Sequence, residues 1–414
     1  MSLPSRSSSQ SRRLVALASA AVLAGSLAAC STGPSAPETK GDASDGGAPR
    51  AGGTQAASED AARPTVTTNV ARGAQGVPVD TTVQVSADGG ELSRVTVSSP
   101  AGRLPGTLSD DGAAWAAAER LEPGTTYDIS SVVTGTDGRD VTESSSFTTA
   151  PLTLDEQTFA SVAPLDGETV GVGMPVVVSF DVPVTDRAAF EKQMTVTSSP
   201  AQPGTWHWMS DYEAHWRPKA YWEPGTTVDV DVDVNGVDAG DGIYGQEDRE
   251  VGFTVGDSHV YKVNAQTHQM QVFSNGDLLR TIPITTGKAG FTTRSGTKVI
   301  MEKFESRRMN SETVGIAAGS AESYDIADVQ YAMRLTYSGE FIHAAPWSVS
   351  SQGSANVSHG CTGMSTENAA WLYGMTLRGD VVEYTGTDRP MTLDNGYGDW
   401  NASYADYRQA SALG

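Results

Sequence analysis

The sequence is short of cysteine, of basic residues and of long apolar runs. Its 414 residues include two cysteines, Cys30 and Cys361, so one bridge at most is available to staple a fold. Lys and Arg number 28 against 50 Asp and Glu, a net charge of -22. A polyanion would be repelled, and no nucleic-acid partner is expected. Beyond the N-terminus no apolar run approaches the roughly 20 residues that a membrane-spanning helix needs. The chain does have enough apolar material, 38% of residues, to bury real cores. Its length suits two to four domains of roughly 100–200 residues each. The 44 glycines favour turn-rich β architecture over long helices.

The N-terminus departs from this acidic background. Arg6, Arg12 and Arg13 precede an apolar, small-residue run from Leu14 to Ala29, which is short for a membrane span and reads as an export signal. The run ends in Leu27-Ala28-Ala29-Cys30, which resembles the bacterial lipobox. That resemblance implies a signal peptide over 1–29, a lipid on the Cys30 sulfur, and a mature protein anchored to the membrane outside the cytoplasm. The alternative is an ordinary secretory signal with a chance cysteine. With Cys30 lipidated, Cys361 has no disulfide partner. An unpaired thiol in an oxidising compartment is either tolerated by burial or kept for reactivity.

Residues 30–63 are Ser, Thr, Gly, Pro, Ala and acidic residues. They carry too little apolar surface to offset chain entropy and read as a tether. Short β-type runs separated by turns follow over 64–151 and again over 152–256. An internal repeat links the two stretches. Trp115 and Pro123, in Glu122-Pro123-Gly124-Thr125-Thr126, return as Trp216 and Pro224, in Glu223-Pro224-Gly225-Thr226-Thr227. Each copy closes on a Phe-Thr pair, Phe147-Thr148 and Phe253-Thr254. Two immunoglobulin-like β-sandwich domains are the economical reading. Asp231-Val232-Asp233-Val234-Asn235-Gly236 opens like a calcium loop, but Gly242 stands where the bidentate Glu is needed. His207 and His215 lie among Trp206, Trp208 and Trp216, with no spacing that completes a metal set. No cofactor or metal is expected.

A third unit spans 257–385. Val260 to Val263 and Gln269 to Phe273 read as strands, with a tight Asn275-Gly276 hairpin turn after them. Phe341-Ile342-His343 reads as a strand end. Thr366 to Thr376 reads as a helix capped by Ser365, with Trp371, Leu372 and Met375 on its apolar side. The tail, 386–414, has Trp400, Tyr404 and Tyr407, and is expected to pack on this third unit.

Cys361 lies in Ser358-His359-Gly360-Cys361-Thr362-Gly363, just ahead of that helix. The flanking glycines let backbone approach a ligand, and N–H groups in such a turn can face a developing oxyanion. A nearby imidazole, His359 or His343, lowers the cost of forming the thiolate. The competing reading is a buried, inert cysteine in a tight turn.

Ile342-His343-Ala344-Ala345-Pro346-Trp347-Ser348, then Ser358-His359-Gly360-Cys361, then Arg378-Gly379-Asp380-Val381-Val382, resemble the catalytic core of the bacterial L,D-transpeptidases. Gly398-Asp399-Trp400-Asn401 resembles the C-terminal extension of cell-wall members that carry two immunoglobulin-like domains. The resemblance implies a mainly β chain, two immunoglobulin-like sandwiches followed by a β-rich YkuD-type catalytic domain with a short helix after the catalytic cysteine. It implies Cys361 as nucleophile and His343 as general base and acid. His359 and Gly360 would shape the turn and supply a backbone oxyanion hole. Trp347, Tyr324, Met309 and Ser358 would contact substrate, with core packing as the other role for Trp347.

Two positions depart from the pattern: Ala344 replaces the usual Ser after the base, and Gly363 the usual Asn or Arg two residues after the cysteine. The implied activity joins peptidoglycan stem peptides through 3→3 cross-links, with release of D-Ala and with carbapenem β-lactams as covalent inhibitors. L,D-carboxypeptidase action and attachment of a protein to peptidoglycan share the same acyl-enzyme. A non-catalytic wall-binding lipoprotein would need a broken nucleophile or base, and both are intact.

Overall fold

The computed structural model describes residues 63–414. The export signal, Cys30 and the tether up to residue 62 lie outside the described residues. From Thr65 to Thr148 two four-stranded sheets face each other, one ordered 65–68, 84–88, 114–117, 106–108 and the other 102–104, 90–99, 126–135, 140–148. Alternation builds this core. Along Thr126–Gly135 the residues Tyr127, Ile129, Ser131 and Val133 point inward while their neighbours face out, as the two-residue strand period dictates.

A second pair of sheets follows between Ala160 and Val255, ordered 160–163, 176–180, 213–218, 204–210 and 169–170, 249–255, 227–232, 194–199. The repeat seen in sequence is a repeat in packing. Trp115 and Trp216 are both buried, and each lies over a glycine of the adjoining hairpin strand. A Cβ on Gly106 would sit 2.0 Å from Trp115 Cζ2, and one on Gly204 would sit 2.1 Å from Trp216 Cζ2. No other residue leaves room for the indole there. Phe147 and Phe253 close the two cores. Between Val232 and Arg249 the second sandwich carries two short strands, Asp238–Gly240 and Ile243–Gly245, which form a small sheet with Gln157–Thr158.

The remaining unit packs two sheets around one apolar core. The first is ordered Asp277–Pro283, Gln269–Ser274, His259–Asn264, Val381–Thr385, Gly296–Val299. The second is ordered Glu302–Asn310, Asp325–Arg334, Phe341–Ala344, Thr362–Met364. Tyr261, Met270, Ile282, Ile342, Met364 and Val382 are among the fully buried side chains between them. Asn275 and Gly276 both take positive φ, 48° and 90°, the conformation a two-residue hairpin turn requires. The helix runs Thr366–Met375, and Ser365 Oγ accepts the Asn368 N–H. Ala369 and Leu372 face the core, while Trp371 lies under the Arg280 guanidinium at 4.0 Å.

The tail has two neighbours, where the sequence suggested the catalytic unit alone. Asn401 hydrogen-bonds both backbone groups of Thr297, at 2.8 and 2.7 Å. Past it, the rings of Trp400, Tyr404 and Tyr407 surround Arg217 of the second sandwich at 4.7, 5.6 and 4.4 Å. His215, on the same strand as Arg217, donates to buried Asp399 at 2.8 Å. His207 and His215 thus hold the tail: His207 Nδ1 pairs with the Tyr407 carbonyl at 2.7 Å.

Candidate active site

Strand alternation decides which groups meet. In Phe341–Ala344, Ile342 and Ala344 enter the core, so Phe341 and His343 face the opposite side. Thr362–Met364 pairs with this strand in parallel, with Ile342 opposite Thr362 and His343 opposite Gly363. Met364 points into the core, which leaves Cys361 and Gly363 on the face that carries His343. The thiol and the imidazole, eighteen residues apart in sequence, thereby line one cleft with Tyr324, Met309, Trp347, Ser358 and His359.

His343 is buried, and its Nδ1 donates to the Ala344 carbonyl at 2.7 Å. This bond leaves Nε2 as the basic nitrogen. The orienting contact uses backbone only, so alanine at 344 serves it. Gly363 is tightly enclosed: a Cβ there would lie 2.8 Å from Ala345 Cβ and 3.1 Å from Thr285 Cγ2. The larger side chain of the general pattern has no space at this position.

The turn before Cys361 is built on Ser358. Its hydroxyl donates to the Cys361 carbonyl at 2.6 Å and accepts the Gly360 N–H at 3.1 Å. Gly360 has φ 125°, a conformation open to glycine, and its carbonyl accepts from Thr293 Oγ1 at 2.7 Å. The Gly360 N–H is thus already taken, while the N–H groups of His359 and Cys361 on either side of it make no hydrogen bond among the described residues.

The Cys361 thiol is oriented toward the Gly339 carbonyl, with Sγ 3.6 Å from the oxygen. Its surface is partly open where two clefts meet, yet protein surrounds it densely. Burial pushes the thiol up to about 12, with the Phe341 backbone N–H acting in the opposite sense. Burial also lowers His343, and the Ala344 hydrogen bond only partly offsets it. Thiol and imidazole are therefore both neutral at rest, and an ion pair forms only when the proton moves between them.

Trp347 is 55% exposed, with its ring 5.9 Å from that of His343, so it is a rim residue and not a core one. Met309 and Tyr324 bracket the loop over the cleft, and the Tyr324 ring lies 5.1 Å from His359. Sequence reasoning missed Glu322 in that loop, whose carboxylate accepts from His359 Nε2 at 2.7 Å and from Lys288 Nζ. It also missed His259, which pairs with buried Asp380 at 3.0 Å. Neither residue carries a local signal; only the fold supplies the partners.

Residues 258–383 match the family of L,D-transpeptidase catalytic domains, and residues 74–238 match the bacterial Ig domain. The L,D-transpeptidase 2 of Mycobacterium tuberculosis is 37% identical over 351 residues, which cover 84% of this chain and 85% of that protein.

The chain belongs to the L,D-transpeptidase family.

A second relative of the same species, L,D-transpeptidase 5, is 35% identical over 80% of this chain and 73% of its own. Among solved L,D-transpeptidases, one in complex with imipenem is 38% identical over 55% of this chain and 98% of its own, with a TM-score of 0.48. The departures at Ala344 and Gly363 are thus variations within an L,D-transpeptidase site. At 344 the orienting hydrogen bond uses the backbone carbonyl, and at 363 local crowding leaves no room for a side chain.

Proposed function

We propose that this L,D-transpeptidase cross-links peptidoglycan stems by two-step acyl transfer on Cys361. The observation that carries the reading is the placement of Cys361 and His343 on one face of adjacent parallel strands, with the imidazole tautomer fixed by Ala344. The Cys361 proton passes to His343 Nε2 as Sγ attacks the carbonyl of the third, diamino-acid residue of a tetrapeptide stem. The peptide C–N bond breaks, and His343 returns the proton to the departing D-Ala amine. The side-chain amine of a second stem then attacks the thioester, gives its proton through His343, and restores the thiol. The chain is on this reading a cysteine acyltransferase. A carbapenem offers its strained β-lactam carbonyl to the same thiolate, in keeping with the relative solved with imipenem.

Incubation with tetrapeptide muropeptides, read by product masses, tests the proposal. The native protein yields a 3→3 dimer and D-Ala, and Cys361→Ala yields neither. Cross-linked product from that variant overturns the nucleophile assignment. Tripeptide without dimer would assign hydrolysis in place of transfer.

We also propose that Cys30 is lipidated and holds the enzyme at the membrane, facing the wall. Support comes from Leu27-Ala28-Ala29-Cys30 behind the basic and apolar segments. The mass of the mature N-terminal peptide tests it; an unmodified Cys30 would contradict it.

A further inference from the structure

Behind the cleft lies a group of charges that the acyl-transfer steps do not use. Lys298 is fully buried, and its Nζ donates to Glu340 Oε2. Arg294, 15% exposed at the side chain, donates to Glu340 Oε1 at 2.9 Å, and its backbone N–H reaches the same oxygen at 3.1 Å. Two cations on one carboxylate leave one positive charge in excess. A buried ion cluster is a poor source of stability, because desolvation consumes most of the Coulomb gain and apolar residues of similar volume do as well. Its retention in a dry core asks for another reason.

The cluster borders the Cys361 turn at three places, through Gly339, Gly360 and Thr362. Gly339, next to Glu340, offers the carbonyl to which Sγ is turned. The Glu340 Cγ lies 3.7 Å from where a Gly360 Cβ would be, so it packs on the residue before the cysteine. Lys298 Nζ stands 3.7 Å over the Tyr384 ring, and the Tyr384 hydroxyl bonds Thr362 Oγ1, on the residue after the cysteine, at 2.7 Å. We propose that Lys298, held by Glu340, is a positioning residue whose buried positive charge supports the negative charge that develops on Cys361 during acylation. The inference rests on the reading of Cys361 as the nucleophile.

The physical basis is the long reach of charge in a poorly solvated interior: Glu340 raises the cost of the Cys361 thiolate, and the Lys298 charge acts against it. Other ionisable groups around the thiol are His343, His359 and Tyr324 in the cleft, Tyr384 beneath, and Arg307, Arg308, Arg334 and Tyr337 along the second cleft. Of the two cluster cations, Lys298 is the fully buried one. Burial lowers Lys298 to about 8 against the pull of Glu340, and Arg294 lowers it further. Its charge, and the support it gives, is thus present at neutral pH and fades as pH rises through about 8.

The test is the rate of Cys361 acylation by imipenem from about pH 6 to about pH 10, followed as the covalent mass adduct, with the spontaneous hydrolysis of imipenem subtracted. Native enzyme should slow above the Lys298 titration. Lys298→Met should acylate about tenfold more slowly at neutral pH and lose that alkaline decline. Arg294→Gln, at a more exposed position, should move the decline to higher pH, because it removes a repelling cation. A purely structural role lowers the rate evenly and leaves the profile unmoved. An unchanged alkaline limb in both variants overturns the inference. A native enzyme that forms no adduct at Cys361 at any pH instead overturns the reading of the nucleophile.

Discussion

His343 shows how one residue's environment sets its chemistry. Its ring is buried and lowered from the ordinary imidazole value of 6.5, so it stays neutral, and able to accept a proton, at more acidic pH than a solvated histidine. The acid limb of kcat/KM is expected below about 6.5; a limb above that value would contradict the assignment. Replacing the base by Gln should lower turnover roughly 10²–10⁴-fold with an unchanged thermal midpoint. The candidate pair Cys361 and His343 was legible in sequence because spacing and flanking motif survive without a structure. Lys298 and Glu340 were not, since 42 residues separate them and nothing in either neighbourhood marks a buried charge.

Among the elements, the loop between Glu302–Asn310 and Asp325–Arg334 is the one placed over the cleft. It is fastened at its far end by Glu322 on His359 and Lys288. The carboxylate is held below its ordinary range, first by the Lys288 hydrogen bond and then by that of His359. Because the pair is exposed, its loss should leave global stability almost untouched. Glu322→Gln is expected to speed hydrogen exchange over 311–324 and change KM for stem peptide, with the thermal midpoint unaltered. Unchanged exchange in that segment would show that the loop is held by other contacts. The helix Thr366–Met375 was foreseeable, because its cap and apolar spacing are local. The loop's attachment was not, because Glu322 reads as one more acidic residue in a strongly acidic chain.

For the whole molecule, the tail ties the second sandwich to the catalytic unit. His215 and Asp399 are both buried. Burial opposes the charged ring, but Asp399 and Glu213 outweigh it and raise His215 to about 9. A histidine raised on folding stabilises fully below its unfolded value of about 6.5, and that contribution is lost as pH rises through about 9. The thermal midpoint of native protein should therefore fall between those values. His215→Gln should flatten this dependence. Asp399→Asn should cost roughly 3–5 kcal/mol, the usual loss when one partner of a buried pair is removed. Denaturant unfolding at neutral pH measures the cost, and a change under about 1 kcal/mol would show that the pair is not a significant tie.

The sequence by itself determined the β character, the duplicated Trp–Pro-Gly-Thr-Thr pattern, the capped helix and the candidate thiol–imidazole pair. Each is written in local periodicity, in a repeat, or in a motif of fixed spacing. Only the tertiary structure decided that alternation in two parallel strands turns Cys361 and His343 to one face, and that Gly363 has no room for a side chain. It alone placed the charged cluster behind the thiol and the tail between two domains. Those features depend on residues far apart in the chain, whose meeting is set by strand register and packing.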